Sequence, residues 1–232
     1  MNENPLGPSP AALEAARRAI AFCHRYPDQQ EQALKRCLAH HLNVSPEHIT
    51  LGNGSDDLLT QIVSIYLQKK NSALLAQHSF LGLQKILENA PGQLKRVTLS
   101  FANMAIEPFL AAIDATTRLL FIVNPNNPTG HYFNTQQLES LLQQVPPTVL
   151  VIIDEAYAEY ATAADYPHTF CWMNRYPNLI VSRTFSKFYG LAGLRLGYTI
   201  SQPAIAHRLQ QNRLLELNCL ERGPSRITRY SA

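Results

Sequence analysis

Apolar residues fall along the chain in two alternating patterns. Four short runs, "SALLAQ" (72–77), "RLLFIVN" (118–124), "TVLVIID" (148–154) and "NLIVSR" (178–183), are almost continuously apolar and rich in valine, isoleucine and leucine. Runs of that kind belong to strands covered on both faces. Between them lie longer stretches with helical spacing, and "LLTQIVSIYL" (58–67) ahead of them is another. Near the N-terminus, Ser9 followed by Pro10 reads as a helix cap with proline at the first helical position, opening a helix to about Cys23; a second helix follows "RYPDQQ". Strands and helices in alternation predict an α/β protein with a mostly parallel sheet. In such sheets ligands collect beyond the C-terminal ends of the strands.

The residues just past the four runs carry most of the candidate chemistry. "RLLFIVN" leads into "PNNPTG", a stiff loop presenting the amide of Asn127; "TVLVIID" ends at Asp154, with Tyr157 three residues on; "NLIVSR" ends in "TFSK", delivering Lys187. After "SALLAQ", Phe80 offers a flat apolar face. Earlier, "LGNGSDD" (51–57) places the amides of Gly54, Ser55 and Asp56 at a helix N-terminus, a site suited to phosphate. Lys187 stands alone among small, aromatic and glycine residues, with Arg195 eight positions further on. A lysine that a loop can bury becomes an amine able to attack carbonyls, while arginine stays charged and binds phosphate. Together they point to a carbonyl cofactor with a phosphate tail.

Pyridoxal 5'-phosphate would give each group a task. Lys187 would form a Schiff base with the cofactor and later move a proton at the substrate's α-carbon. Asp154 would pair with the pyridine nitrogen, Tyr157 and Asn127 would hydrogen-bond the phenolic oxygen, and Phe80 would stack on the ring. Arg195, Ser186, Thr184 and the amides of Gly54, Ser55 and Asp56 would grip the phosphate.

Composition agrees with an enzyme of this kind and removes other classes. At 232 residues, 46% hydrophobic and 16% charged, the chain can bury a sizeable core. A formal charge of +3 without a basic stripe argues against nucleic acid or acidic membranes as partners. No apolar segment is long enough to span a membrane and the N-terminus has no leader pattern, so a cytoplasmic location is expected. Cys23, Cys37, Cys171 and Cys219 lie far apart, which predicts reduced, mostly packed thiols and no zinc site. The histidines show no metal spacing, and His40–His41 is expected to turn one ring outward and pack the other. No GxGxxG follows the first strand, which argues against a nicotinamide-binding Rossmann protein.

The motifs "NENPLGPSP", "RYPD", "GNGSDDLL", "NPNNPTG", "DEAYAEY" and "TFSKFYGLAGLRLGY", in this order and spacing, resemble those of the fold-type I pyridoxal-phosphate aminotransferases. Within them the sequence is similar to the histidinol-phosphate aminotransferases, over roughly residues 2–215. The resemblance implies a three-layer α/β/α large domain with a mostly parallel sheet. It also implies a homodimer in which Tyr26 of "RYPD" reaches the neighbouring subunit's cofactor phosphate. The implied reaction exchanges the amino group of histidinol phosphate with 2-oxoglutarate, giving imidazole acetol phosphate and glutamate. The expected division is an N-terminal segment and first helix (1–25), a cofactor-binding large domain (26–217) and an atypical tail (218–232). The family continues beyond this length into a small domain whose arginines bind the substrate phosphate, so the resemblance predicts a chain without that C-terminal domain and shortened ahead of "NENP". Threonine-phosphate decarboxylases share the cofactor groups, and that activity stays open as an alternative, as does a remnant that binds cofactor without turnover.

Overall fold

The computed structural model describes residues 2–26, 32–100 and 105–212. Among these residues seven strands form one sheet in the order β1-β7-β6-β5-β4-β2-β3. They are β1 (Ile49–Asn53), β2 (Ser72–Ala76), β3 (Gln93–Val97), β4 (Thr117–Val123), β5 (Leu150–Asp154), β6 (Leu179–Thr184) and β7 (Leu196–Ser201). The four apolar runs are β2, β4, β5 and β6, and they are mutually parallel, with β3 parallel to β2. β7 alone runs antiparallel, wedged between β1 and β6.

Among the described residues seven α-helices accompany the sheet: α1 (Pro10–Ile20), α2 (Gln32–Leu42), α3 (Ser55–Tyr66), α4 (Leu81–Glu88), α5 (Glu107–Ala112), α6 (Thr135–Gln144) and α7 (Pro203–Gln211). Alternate strand residues feed two separate cores, as the two-residue period of a strand requires. Leu74, Leu120, Ile122, Val151, Ile153 and Val181 pack with Leu34 and Leu38 of α2, Phe109 of α5 and Leu138 and Leu141 of α6. Ala73, Leu75, Leu119, Phe121, Ile152 and Ile180 pack on the other face with Leu59, Ile62 and Val63 of α3, Leu83 and Leu87 of α4 and Leu209 of α7. Helices on both faces make the expected three layers, and full coverage explains why β2, β4, β5 and β6 read as unbroken apolar runs.

Local signals hold at the helix ends. Ser9 Oγ accepts from the Ala12 amide, and Asn134 and Gln137 close a capping box at α6. Three expectations need correction. α1 ends at Ile20, and residues 21–24 continue as turns. Cys23 and Cys171 are exposed and Cys37 is half-buried, while Cys219 lies outside the described residues. His40 and His41 are both exposed. The buried arc of α2 is set by Leu34, Lys35, Leu38 and Ala39, and at about 100° per residue position 40 points away from it and position 41 lies at its margin.

Candidate active site

The C-terminal ends of β4, β5 and β6, the start of α3 and the segment opening α4 converge on a cavity of about 750 Å³. Its lining includes Ser55, Asp56, Phe80, Asn127, Asp154, Tyr157, Thr184, Ser186, Lys187 and Arg195, so ten of the twelve residues singled out from the sequence meet in one place. Gly54 sits directly behind them. Its φ of +81° is a conformation that side-chain-bearing residues rarely adopt, and the space its missing side chain leaves is filled by the Arg195 guanidinium. Tyr26 lies outside the cavity and is 77% exposed. In "RYPD", Pro27 and Asp28 lie outside the described residues.

Asp154 ends β5 at the cavity floor with 2% of its surface exposed. Its Oδ1 has no hydrogen-bond partner among the described residues. Burial pushes its carboxyl up to about 7, aided by the negative charges of Asp56 and Glu155; the Ser182 hydroxyl and the Ala156 amide pull the other way. A carboxylate left so short of partners in the wall of a cavity is built to receive a cationic or protonated nitrogen.

Lys187 follows β6 through a short loop closed by local hydrogen bonds: Ser186 N–H donates to Thr184 Oγ1 at 3.1 Å and Gly190 N–H to the Lys187 carbonyl at 3.1 Å. Lys187 Nζ stands 5.7 Å from the centre of the Tyr157 ring and donates to the Asn2 carbonyl at 3.1 Å. Asn2 Nδ2 donates to the Tyr157 hydroxyl at 2.9 Å, and Asn4 Nδ2 to the Phe188 carbonyl at 2.8 Å. Residues 2–4 thus cross the site and occupy both its lysine and its tyrosine.

The phosphate-directed corner is built from α3 and the loop before β7. Arg195 is held in the left-handed region at φ +51°, with Nη1 donating to the Ala192 carbonyl at 3.1 Å and to Ser186 Oγ at 3.5 Å. This places a guanidinium beside the amides of Ser55 and Asp56 at the start of α3, an arrangement that attracts anions, whereas the Gly54 amide, also assigned to phosphate from the sequence, donates to the Gly52 carbonyl at 2.8 Å.

The Asn124–Pro125 and Asn127–Pro128 peptides in the loop after β4 are cis. Asn126 braces the loop from within, donating to the His78 carbonyl at 2.9 Å and to Thr129 Oγ1 at 2.8 Å.

Sequence reasoning missed Ser79, Asn2 and Glu3, all of which line the cavity. Ser79 is almost fully buried and donates to Asn126 Oδ1 at 2.9 Å, a pairing 47 residues apart that no local pattern announces. Asn2 and Glu3 lie inside the "NENP" motif, whose presence was the available signal. Among the described residues no group of His, Cys, Asp or Glu side chains could hold a metal ion, and no helix is long and apolar enough to cross a membrane.

Comparison with known proteins gives the same picture. The family model "Aminotransferase class I and II" matches residues 1–214. "Histidinol-phosphate aminotransferase 2" of Pseudomonas fluorescens is 46% identical over 212 residues, which is 91% of this chain and 57% of that protein. The protein of the same description from Pseudomonas aeruginosa is 47% identical over 213 residues, 91% of this chain and 58% of that one. Among solved structures, the histidinol-phosphate aminotransferase of Sinorhizobium meliloti in complex with pyridoxal-5'-phosphate superposes with a TM-score of 0.90 at 33% identity, covering 95% of this chain and 60% of that one. The chain therefore spans a little over half the length of the curated relatives it matches.

Proposed function

The chain belongs to the class I and II aminotransferases, and from that premise we propose that its cavity binds pyridoxal 5'-phosphate and serves amino-group transfer from histidinol phosphate to 2-oxoglutarate. The products would be imidazole acetol phosphate and glutamate. The observation that carries this reading is Asp154, a buried carboxylate with an unpartnered oxygen in the cavity wall, as a protonated pyridine nitrogen requires.

The residues present fit the group. Asp154 would hold the ring nitrogen, and Tyr157 and Asn127 the ring oxygen. Phe80 would lie against the ring face, while Ser55, Asp56, Thr184, Ser186 and Arg195 would hold the phosphate. When bound, the cofactor supplies an electron sink for the substrate's α-carbon. Lys187 would anchor it covalently through its amine, and the same amine, once free, would take and return the α-proton. To do so it must leave the Asn2 carbonyl, and Tyr157 must share its hydroxyl between Asn2 and the ligand. We further propose a homodimer in which the exposed Tyr26 reaches the cofactor phosphate of a second copy.

Pyridoxal phosphate followed by borohydride tests the reading. Mass spectrometry of the digested protein should place a reduced pyridoxyl group on Lys187, and Lys187→Ala should carry none at any cavity residue. A label spread over surface lysines, equal in parent and variant, would overturn it.

A further inference from the structure

Behind the cavity lies a buried ionic cluster that the cofactor reading leaves without a task. Arg183, the penultimate residue of β6, donates from Nε to Glu155 Oε2 at 2.7 Å; its Nη2 meets the same oxygen at 2.7 Å and its Nη1 donates to Glu159 Oε1 at 3.0 Å. Glu155 is completely buried, and its other oxygen accepts from Thr169 Oγ1 at 2.8 Å. The guanidinium also stacks over the Phe170 ring at 4.9 Å. Burial alone is a poor reason for such a cluster, because removing these charges from water offsets most of their attraction.

Its placement supplies a better one. Glu155 follows Asp154 directly, Glu159 stands two residues after Tyr157, and Arg183 stands four before Lys187. We propose that Arg183 is a positioning residue: its guanidinium holds Glu155 and Glu159, and through them sets Asp154 and Tyr157 against the loop that carries Lys187. The inference rests on the reading that these three side chains hold pyridoxal phosphate. The fork is essential to it, since one planar group with several fixed donors can grip two carboxylates at set angles, whereas an ammonium is a single point charge on a flexible stem. The cluster also fixes which charges Asp154 meets. Glu155 lies just past the end of β5 and Asp56 at the start of α3, Ser182 lies on β6, and Lys187 and Arg195 line the same cavity.

Two variants test this. Arg183→Lys keeps the charge, and should keep cooperative unfolding while weakening pyridoxal phosphate binding at least tenfold by equilibrium dialysis. Binding equal to the parent's would overturn the proposal. Glu155→Gln is read without cofactor, by carbon NMR of 13C-labelled aspartate. Loss of the adjacent negative charge should move the Asp154 titration below the parent's value of about 7. A merely structural cluster would lower the unfolding midpoint and leave that titration in place, which would also overturn the proposal. If the parent takes up no pyridoxal phosphate, the cofactor reading fails by itself, and the titration still decides whether the cluster acts on Asp154.

Discussion

The α-carbon of Gly197 on β7 faces the first turn of α3 so closely that a Cβ there would stand 2.5 Å from the Ser55 nitrogen and 2.6 Å from the Gly54 carbonyl carbon. Both neighbours are backbone, so neither can swing aside. The antiparallel strand β7 thus serves as the seat on which the start of α3 rests.

Gly197→Ala should therefore be costly in both stability and binding. The expected loss is about 1–3 kcal/mol, typical of overpacking a closed site, with pyridoxal phosphate affinity down at least tenfold because the amides of Ser55 and Asp56 shift. Gly54→Ala differs in cause. The nearest atom to its Cβ is the flexible end of Arg195 at 2.5 Å, so the contact can be relieved, but the φ of +81° remains strained. About 1–3 kcal/mol should be lost, since φ +81° with ψ 170° is a conformation essentially confined to glycine, together with affinity as Arg195 is displaced. Denaturant midpoints and spectral titration with cofactor measure both; parental affinity in the two variants would mean that phosphate is bound elsewhere.

Asp154 makes the cofactor-free chain sensitive to pH in a defined direction. Its carboxyl rises from an ordinary value of 3.8 to about 7 on folding, because it is buried near Asp56 and Glu155. Between those values the folded state holds a proton that the unfolded state has released, so its contribution to stability is present below pH 4 and is lost as pH rises to about 7. The full loss is on the order of 4 kcal/mol at about 1.36 kcal/mol per pKa unit. Asp154→Asn should flatten this part of the profile, and urea midpoints at pH 4.5 and 7.5 provide the comparison. An equal slope in parent and variant would show that another group, such as buried Glu155, carries it.

Much of this site could be read from strand ends. β4, β5 and β6 each carry a long apolar run, so their termini mark the sheet's C-terminal edge; Asp154 ends β5, and Asn127 and Lys187 follow β4 and β6 within a few residues. β1, β3 and β7 escaped notice for physical reasons: "ITLGN" is short and ends in glycine and asparagine, which read as a turn. "QLKRV" is an edge strand that keeps two cations at its surface, and "LGYTIS" interrupts its apolar run with glycine and hydroxyl side chains although all six residues are buried. Arg183 and Glu155 meet across 28 positions of sequence, and in "DEAY" a second acid reads as solvated until its partner is known. The exposure of Cys37, His40 and His41 was likewise decided by the orientation of α2, which residue type does not encode.

Tyr157 is tied to the N-terminal segment as well as to the ligand it is proposed to meet. Tyr157→Phe removes the acceptor for Asn2 Nδ2, an exposed hydrogen bond, so stability should fall by no more than about 0.5–1.5 kcal/mol. Pyridoxal phosphate should bind roughly tenfold more weakly, and the absorption maximum of the bound cofactor should move because the ring oxygen has lost a donor. An unchanged spectrum and affinity would leave Tyr157 with a role confined to holding residues 2–4.

Substrate binding should be weak in this cavity once the cofactor is in place. Among the described residues, Lys187 and Arg195 are the cations lining the cavity, and both are committed to the proposed cofactor, one to its carbonyl carbon and one to its phosphate. The proposed amino donor, histidinol phosphate, brings a second phosphate and no carboxylate. With both cations engaged it should gain a few kcal/mol less from the cavity than pyridoxal phosphate does, a hundredfold or more at about 1.4 kcal/mol per tenfold. Equilibrium dialysis of histidinol phosphate against the chain loaded with pyridoxal phosphate should therefore give an affinity at least a hundredfold below that of pyridoxal phosphate for the empty cavity. Comparable affinities would instead mean that Lys187, Arg195 and the amides of α3 accommodate both phosphates, and the division of charge proposed for this cavity would have to be redrawn.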